Sequence, residues 1–278
     1  MTAFACNTYS YMRSHTAEEC LDHLAELGFR DFELMMHPGH AWPNDMNAAA
    51  RAALRGAIEA RGLRLVSLNM PNIDLNVAAA SPEMRDYTLR ILDGIVRLAG
   101  ELGVPGVVMV PGKHNPLFPD DAENLAARFF AALDRLAPLA ERAGTALWIE
   151  NVPFAFEGST QGLMDLLTRY GDDAIGICFD AANAHFIGED IPAALACCAP
   201  RLKIVHLSDT NRQVYRHDPV GQGDVPFGAI PAALTAVGHR EPPVLEVISR
   251  DPDRDIIASQ QRLIALGFPA HARAMNQG

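Results

Sequence analysis

Four apolar runs in the second half of the chain each carry an ionisable residue at a matching place. They read Leu147-Trp148-Ile149-Glu150-Asn151, Ile177-Cys178-Phe179-Asp180, Ile204-Val205-His206-Leu207-Ser208-Asp209 and Val244-Leu245-Glu246-Val247. A carboxylate inside an apolar strand is costly to bury unless it is paired or metal-bound. Four such intrusions in one register call for a shared compensation, and a single divalent cation supplies it. Three carboxylates and one imidazole form a hard, mostly oxygen donor set. That set suits Mn2+ or Mg2+ first, with Co2+, Fe2+ or Zn2+ behind them, rather than a structural zinc held by thiolates. One acidic residue at a strand end is more often a helix cap or an ion-pair partner. The repeat over successive runs is what favours a common ligand set.

These residues need a frame that brings four strand ends together. Short β-rich runs alternate with longer stretches of helical period along the whole chain. The runs are Phe4–Asn7, Asp31–Met35, Leu63–Leu68, Gly106–Val110, Ala146–Glu150, Ile175–Asp180, Leu202–Leu207 and Pro243–Val247. Several are almost wholly apolar, as parallel strands covered on both faces are. Helices are expected over Thr16–Leu27, from Ser81-Pro82 to Leu102, and over Asp121–Arg142, Ser159–Tyr170 and Ile256–Leu266. Thr16 with Glu19 makes a capping box, Pro82 suits a first turn, and Gly28, Gly103, Gly144, Gly171 and Gly267 stop the helices. Eight repeats in 278 residues is about 35 residues each, the economy of a (β/α)8 TIM barrel, an α/β fold. A doubly wound sheet would usually stop earlier, and the G-x-G-x-x-G turn after the first strand is missing. With no linker or low-complexity segment, residues 1–278 are expected to form a single (β/α)8 barrel domain. Active sites of such barrels lie at the C-terminal ends of the strands, where Glu150, Asp180, His206 and Glu246 fall.

Composition narrows the partners. Lys plus Arg number 23 and Asp plus Glu 34, a net charge of −11, with no basic run, so nucleic acid is not expected as a partner. No stretch approaches the roughly 18 apolar residues that cross a bilayer, so no membrane is expected either. Met1 to Ser14 lacks a positive segment followed by an apolar core. The five cysteines, Cys6, Cys20, Cys178, Cys197 and Cys198, match no disulfide or zinc spacing, and the expected setting is a reducing cytoplasm.

The chain resembles the xylose-isomerase-like barrels, the sugar phosphate isomerase/epimerase superfamily. The resemblance rests on Glu150-Asn151, Asp180-x-x-Asn183, His206-Leu207-Ser208-Asp209, Gly221-Gln222-Gly223-Asp224 and Leu245-Glu246, with a weaker echo in Gly28-Phe29-Arg30-Asp31-Phe32-Glu33. It implies that Glu150, Asp180, His206 and Glu246 bind one metal, and that the substrate is a small polyhydroxylated molecule. It also brings homo-oligomers as an expectation. Many ketose epimerases carry His three residues after the strand-six Asp; here Asn183 stands there and His185 follows, and either is a candidate substrate contact. Arg212 matches an arginine that binds substrate oxygens in some of them. The endonuclease branch holds three metals with extra His residues, and here Asn69 and Pro111 stand near two of those places.

The expected chemistry is chelation of a carbonyl and a neighbouring hydroxyl, which acidifies the C–H between them. Glu150 and Glu246, from strands five and eight, are the candidate catalytic acid–base pair, working through an enediolate. The leading expectation is a metal-dependent isomerase or epimerase of a sugar, keto-sugar or polyol. A dehydratase of an inosose or dehydroshikimate-like ring comes second, and an abasic-site endonuclease or a non-catalytic barrel subunit follows. Further rim candidates are Glu157 and His217 as substrate contacts, then Lys113, His114, Glu33, His37 and His40, each with a structural or solvent-facing role as the plainer alternative. Trp42 and Phe154 are candidates for an apolar wall or for core, and Met35-Met36 reads as packing.

Overall fold

The computed structural model describes residues 2–70 and 74–271. Eight parallel strands close on themselves in sequence order: β1 (Ala5–Asn7), β2 (Asp31–Met35), β3 (Arg64–Asn69), β4 (Gly106–Met109), β5 (Ala146–Glu150), β6 (Gly176–Asp180), β7 (Leu202–Leu207) and β8 (Val244–Leu245). The seam pairs Ala5 with Val244 and Cys6 with Leu245. This is the (β/α)8 barrel that the alternation implies. Its strands are shorter than the apolar runs at several ends; β8 has two residues, and Glu246 lies just past it.

Nine helices are described: α1 (Ala17–Glu26), α2 (Ala48–Ala60), α3 (Pro82–Leu102), α4 (Ala122–Ala143), α5 (Thr160–Tyr170), α6 (Ala181–Phe186), α7 (Ile191–Cys198), α8 (Ile230–Ala236) and α9 (Pro252–Ala265). Thr16 and Glu19 close a reciprocal capping box on α1. Helices α3, α4 and α5 end on left-handed Gly103, Gly144 and Gly171. Four of these helices, α2, α6, α7 and α8, lack a sequence expectation. α2 buries only Leu54 and Ile58, α6 is six residues long, and α7 is apolar nearly all round. Among the described residues, no helix is long and apolar enough to cross a membrane.

The core has two parts. A large cluster packs the outward faces of the strands against the helices. A smaller one fills the lower lumen with Ala5, Val66, Val108, Trp148, Cys178, Ile204 and Val244. Trp148 is its plug. A Cβ added to Gly106 would stand 2.1 Å from the indole, and one added to Gly176 2.9 Å from it, so the neighbouring strands leave room for the ring. Side chains alternate along a strand, so the residue two places on faces the same lumen one layer higher. Trp148 is followed by Glu150, Cys178 by Asp180, Ile204 by His206, Val244 by Glu246 and Ala5 by Asn7. The lower layer is apolar and the upper one polar.

Candidate metal centre

Strand pairing sets the four ends level. Asp180 pairs with His206, Glu150 with Cys178, and His206 with Val244, while the Glu246 amide donates to the Leu207 carbonyl at 3.1 Å. One donor atom from each of Glu150, Asp180, His206 and Glu246 lies within 4.8 Å of the others, and all four residues are buried. His206 Nδ1 is 3.2 Å from Glu246 Oε2, 3.6 Å from Glu150 Oε1 and 3.9 Å from Asp180 Oδ2. The sequence expectation that these four side chains converge matches this geometry.

Local bonds aim each group. Asp180 caps α6: its Oδ1 accepts from the Asn183 amide at 2.5 Å. Asn151 bonds the Asp180 backbone twice, accepting from its amide at 2.7 Å and donating to its carbonyl at 3.0 Å. That leaves Asp180 Oδ2 bare. Asn183 Nδ2 donates to Glu150 Oε1 at 3.3 Å. The buried atoms without a hydrogen-bond partner include Asp180 Oδ2, His206 Nδ1 and Glu246 Oε2. Buried polar atoms are normally satisfied, so three orphans around one point need an explanation. They are the atoms a cation would take, and the residues fit one.

The electrostatics carry the same strain. Burial pushes the Glu150 carboxyl up, and burial followed by the neighbouring Glu246 and Glu150 charges raises Asp180 to about 7, against the pull of His217 and His206. Burial would also raise Glu246, but His206 and His217 outweigh it and hold that carboxyl low. Burial disfavours charge on His217, yet Glu246 and Asp180 lift it to about 9. Without a cation, protons and imidazoles share the work of neutralising the carboxylates.

The other candidates divide. His217 belongs to the centre: Nδ1 is 3.3 Å from Glu246 Oε2 and 2.9 Å from Ser208 Oγ, and Nε2 is 2.9 Å from Tyr215 Oη. His185 is buried with its Nε2 2.6 Å from Asp224 Oδ1. Glu157 folds onto the start of α5, accepting from Ser159 Oγ at 2.8 Å, and Arg212 is exposed in the loop after β7. Gly221-Gln222-Gly223-Asp224 wraps Asp209, whose carboxylate accepts from the Gly221 amide at 2.6 Å and the Val225 amide at 3.2 Å. A Cβ on Gly223 would meet the Thr210 carbonyl oxygen at 2.1 Å, which explains glycine there. His40 is buried between the His15 carbonyl and Thr8 Oγ1, and half-buried His37 bonds the Pro38 carbonyl. Lys113 is half-buried and its backbone bridges to Ala155, while His114 follows it in the same loop. Trp42 packs against the core.

Two candidates of the sequence reading have partners that it did not name. Glu33 sits mid-strand in β2, fully buried against His206. Asn7, Ser67 and Asn69 surround it, and the signal was polar residues at paired strand positions, Asn7 with Glu33 and Glu33 with Ser67. The second is Phe154, which joins an aromatic wall with Phe186 and Tyr215, two residues the sequence reading did not name. Phe154, which is 55% exposed, Phe186 and Tyr215 hold ring centroids 5.1 to 6.1 Å apart, and Tyr215 stands edge-on to His217 at 5.3 Å. They come from the loops or helix after β5, β6 and β7. A cleft of about 460 Å3 lined by Pro138, Thr145, Leu147 and Tyr170 lies at the opposite end of β5 and shares no residue with the centre.

The model of the xylose isomerase-like TIM barrel family matches residues 21–266. The chain belongs to that family. Among curated relatives of this xylose isomerase-like barrel, the probable endonuclease 4 of Methanoculleus marisnigri is 27% identical over 222 residues, 72% of this chain and 77% of that protein. The L-ribulose 3-epimerase of Mesorhizobium japonicum is 27% identical over 182 residues, 63% of this chain and 59% of that protein. Among solved structures, a D-tagatose 3-epimerase-like protein superposes with a TM-score of 0.81 at 20% identity, covering 96% of this chain and 97% of that one, a likeness of fold.

Proposed function

We propose that this xylose isomerase-like barrel is a divalent-metal-dependent isomerase or epimerase of a small sugar, keto-sugar or polyol. The observation that carries the reading is the set of buried atoms Asp180 Oδ2, His206 Nδ1 and Glu246 Oε2, which lack hydrogen-bond partners and cluster beside Glu150. Glu150, Asp180, His206 and Glu246 would hold the ion, with Mn2+ or Mg2+ best suited to the donor set. When bound, the ion supplies Lewis-acid polarisation of a carbonyl and charge stabilisation for the enediolate. Glu150 and Glu246 approach from strands separated by β6 and β7, so one removes the proton and the other returns it. Return to the opposite face of the same carbon epimerises; return to the next carbon isomerises. His217 stands against Glu246 and steadies its charge. The Phe154–Phe186–Tyr215 wall offers rings against which the C–H faces of a polyol pack.

Relatives named as epimerases support this reading, and relatives named as endonuclease 4 support a rival one. Against the rival stand the net charge of −11 and Asn69, whose amide donates to Glu33 at 3.1 Å. The test is metal analysis followed by deuterium uptake from solvent into a panel of ketoses and cyclic keto-polyols. Carbon-bound deuterium in a ketose, lowered about 10²- to 10⁴-fold in Glu246→Gln, is the expected result. Water loss from a cyclic keto-polyol without ketose exchange would make the enzyme a dehydratase. Nicking of abasic DNA would make it an endonuclease.

A further inference from the structure

We infer that Glu33 is a positioning residue: its carboxylate fixes the His206 ring so that Nδ1, and not Nε2, faces the ligand cluster. This rests on the metal reading above. His206 Nε2 lies 3.0 Å from Glu33 Oε1 and 3.1 Å from Oε2, and both side chains are fully buried. A carboxylate accepts only, so the shared hydrogen belongs to Nε2, and Nδ1 keeps the lone pair that a cation needs. Cys178 Sγ, 3.3 Å from the same nitrogen, is the weaker acceptor.

Glu33 is itself held. Ser67 Oγ donates to Oε2 at 2.7 Å; on Oε1, Asn7 Nδ2 donates at 2.5 Å and Asn69 Nδ2 at 3.1 Å. The two amide nitrogens can only donate, so they orient the carboxylate as an acceptor. Asn7 Nδ2 also lies 3.4 Å from Glu246 Oε1, so the same brace touches a second member of the cluster. The registers Asn7 with Glu33 and Glu33 with Ser67 make this one polar layer across β1, β2 and β3. A bond to the second ring nitrogen both orients a ligating imidazole and raises its basicity.

The test compares Mn2+ binding to chelator-treated wild type and Glu33→Gln, read as free Mn2+ by electron paramagnetic resonance. The Co2+-loaded forms are compared by visible absorption. Glutamine keeps the shape, but with its oxygen accepting from Asn7 and Asn69 its amide nitrogen takes the place of Oε2 beside Ser67 Oγ and His206 Nε2. The expected result is Mn2+ affinity about 10- to 100-fold weaker, with displaced Co2+ bands. A purely structural role would lower the melting temperature of the metal-free form and leave affinity and bands alone. Affinity within about twofold of wild type therefore overturns the role of Glu33 and leaves the metal reading standing. Should Glu33→Gln not fold, Ser67→Ala decides: about 2- to 10-fold weaker binding supports the brace, and unchanged binding overturns it. Wild type that binds no Mn2+ overturns the metal reading itself.

Discussion

The two halves of the barrel face one lumen, yet their upper polar layers behave oppositely. In the first half, Asn7, Glu33, Ser67 and Asn69 satisfy one another through short hydrogen bonds. In the second half, Asp180, His206 and Glu246 each keep a buried atom with no hydrogen-bond partner and only one another and His217 as charged neighbours. Polar burial is tolerated in the first case because it is internally paired. In the second it is not, and the unpaired atoms are the ones the proposed metal reading uses. The two layers meet where His206 Nε2 faces Glu33 and where Asn7 Nδ2 reaches Glu246 Oε1.

The comparison can be broken or sharpened by experiment, beginning with the ligands. His206→Ala should weaken Mn2+ binding by more than the roughly 100-fold ceiling for a supporting residue. Titration of both variants checks this, and a smaller loss than Glu33→Gln shows would reverse the roles of the halves. Loading wild type with Mn2+ at about 100 times its Kd should add about 2.7 kcal/mol of stability. Denaturant melts with and without chelator measure it. Asp180→Asn should remove most of that gain, and a gain that survives would place the ion elsewhere.

A third change tests the apolar layer below. Gly106→Ala pushes a methyl into the Trp148 ring and should destabilise the fold by about 1 to 3 kcal/mol while leaving Mn2+ affinity unchanged. Coupled losses would mean that the two layers are not independent.

The smallest effect concerns pH on the first-half side. Burial, the largest influence, holds the His40 imidazole below its ordinary 6.5, against the raising effect of its bond to the His15 carbonyl. The unfolded chain therefore takes up this proton more readily. The contribution of His40 to stability is present above pH 6.5 and lost as the pH falls through the lower folded value. His40→Gln should flatten that acid limb, as melts at a series of pH values would record. An unchanged limb would remove His40 as its source.

How far the sequence reaches is clear at particular residues. Thr16 with Glu19, Pro82 and Gly144 mark helix ends by local chemistry, and the structure ends its helices at those residues. Ala48–Ala60 and Ala181–Phe186 were not legible, because the first is alanine-rich with only Leu54 and Ile58 buried and the second has six residues. Glu150, Asp180, His206 and Glu246 stood out as charge inside apolar strands. Glu33 did not separate from a strand-end residue, because its partners lie 26, 34, 36 and 173 positions away. The same distance problem hides Phe186 and Tyr215, the partners of Phe154 in the wall, because the three come from different connections.

By itself, then, the amino-acid order determined the alternation of strand and helix, and with it a closed barrel whose last four strands carry charge at matching heights. Those are local and periodic properties, written in residue types a few positions apart. Which polar side chains are paired off and which are left bare was decided only when β1 met β8 and the lumen closed. Hydrogen bonds act over about 3 Å, and no pattern along the chain records which distant atoms will come within that reach.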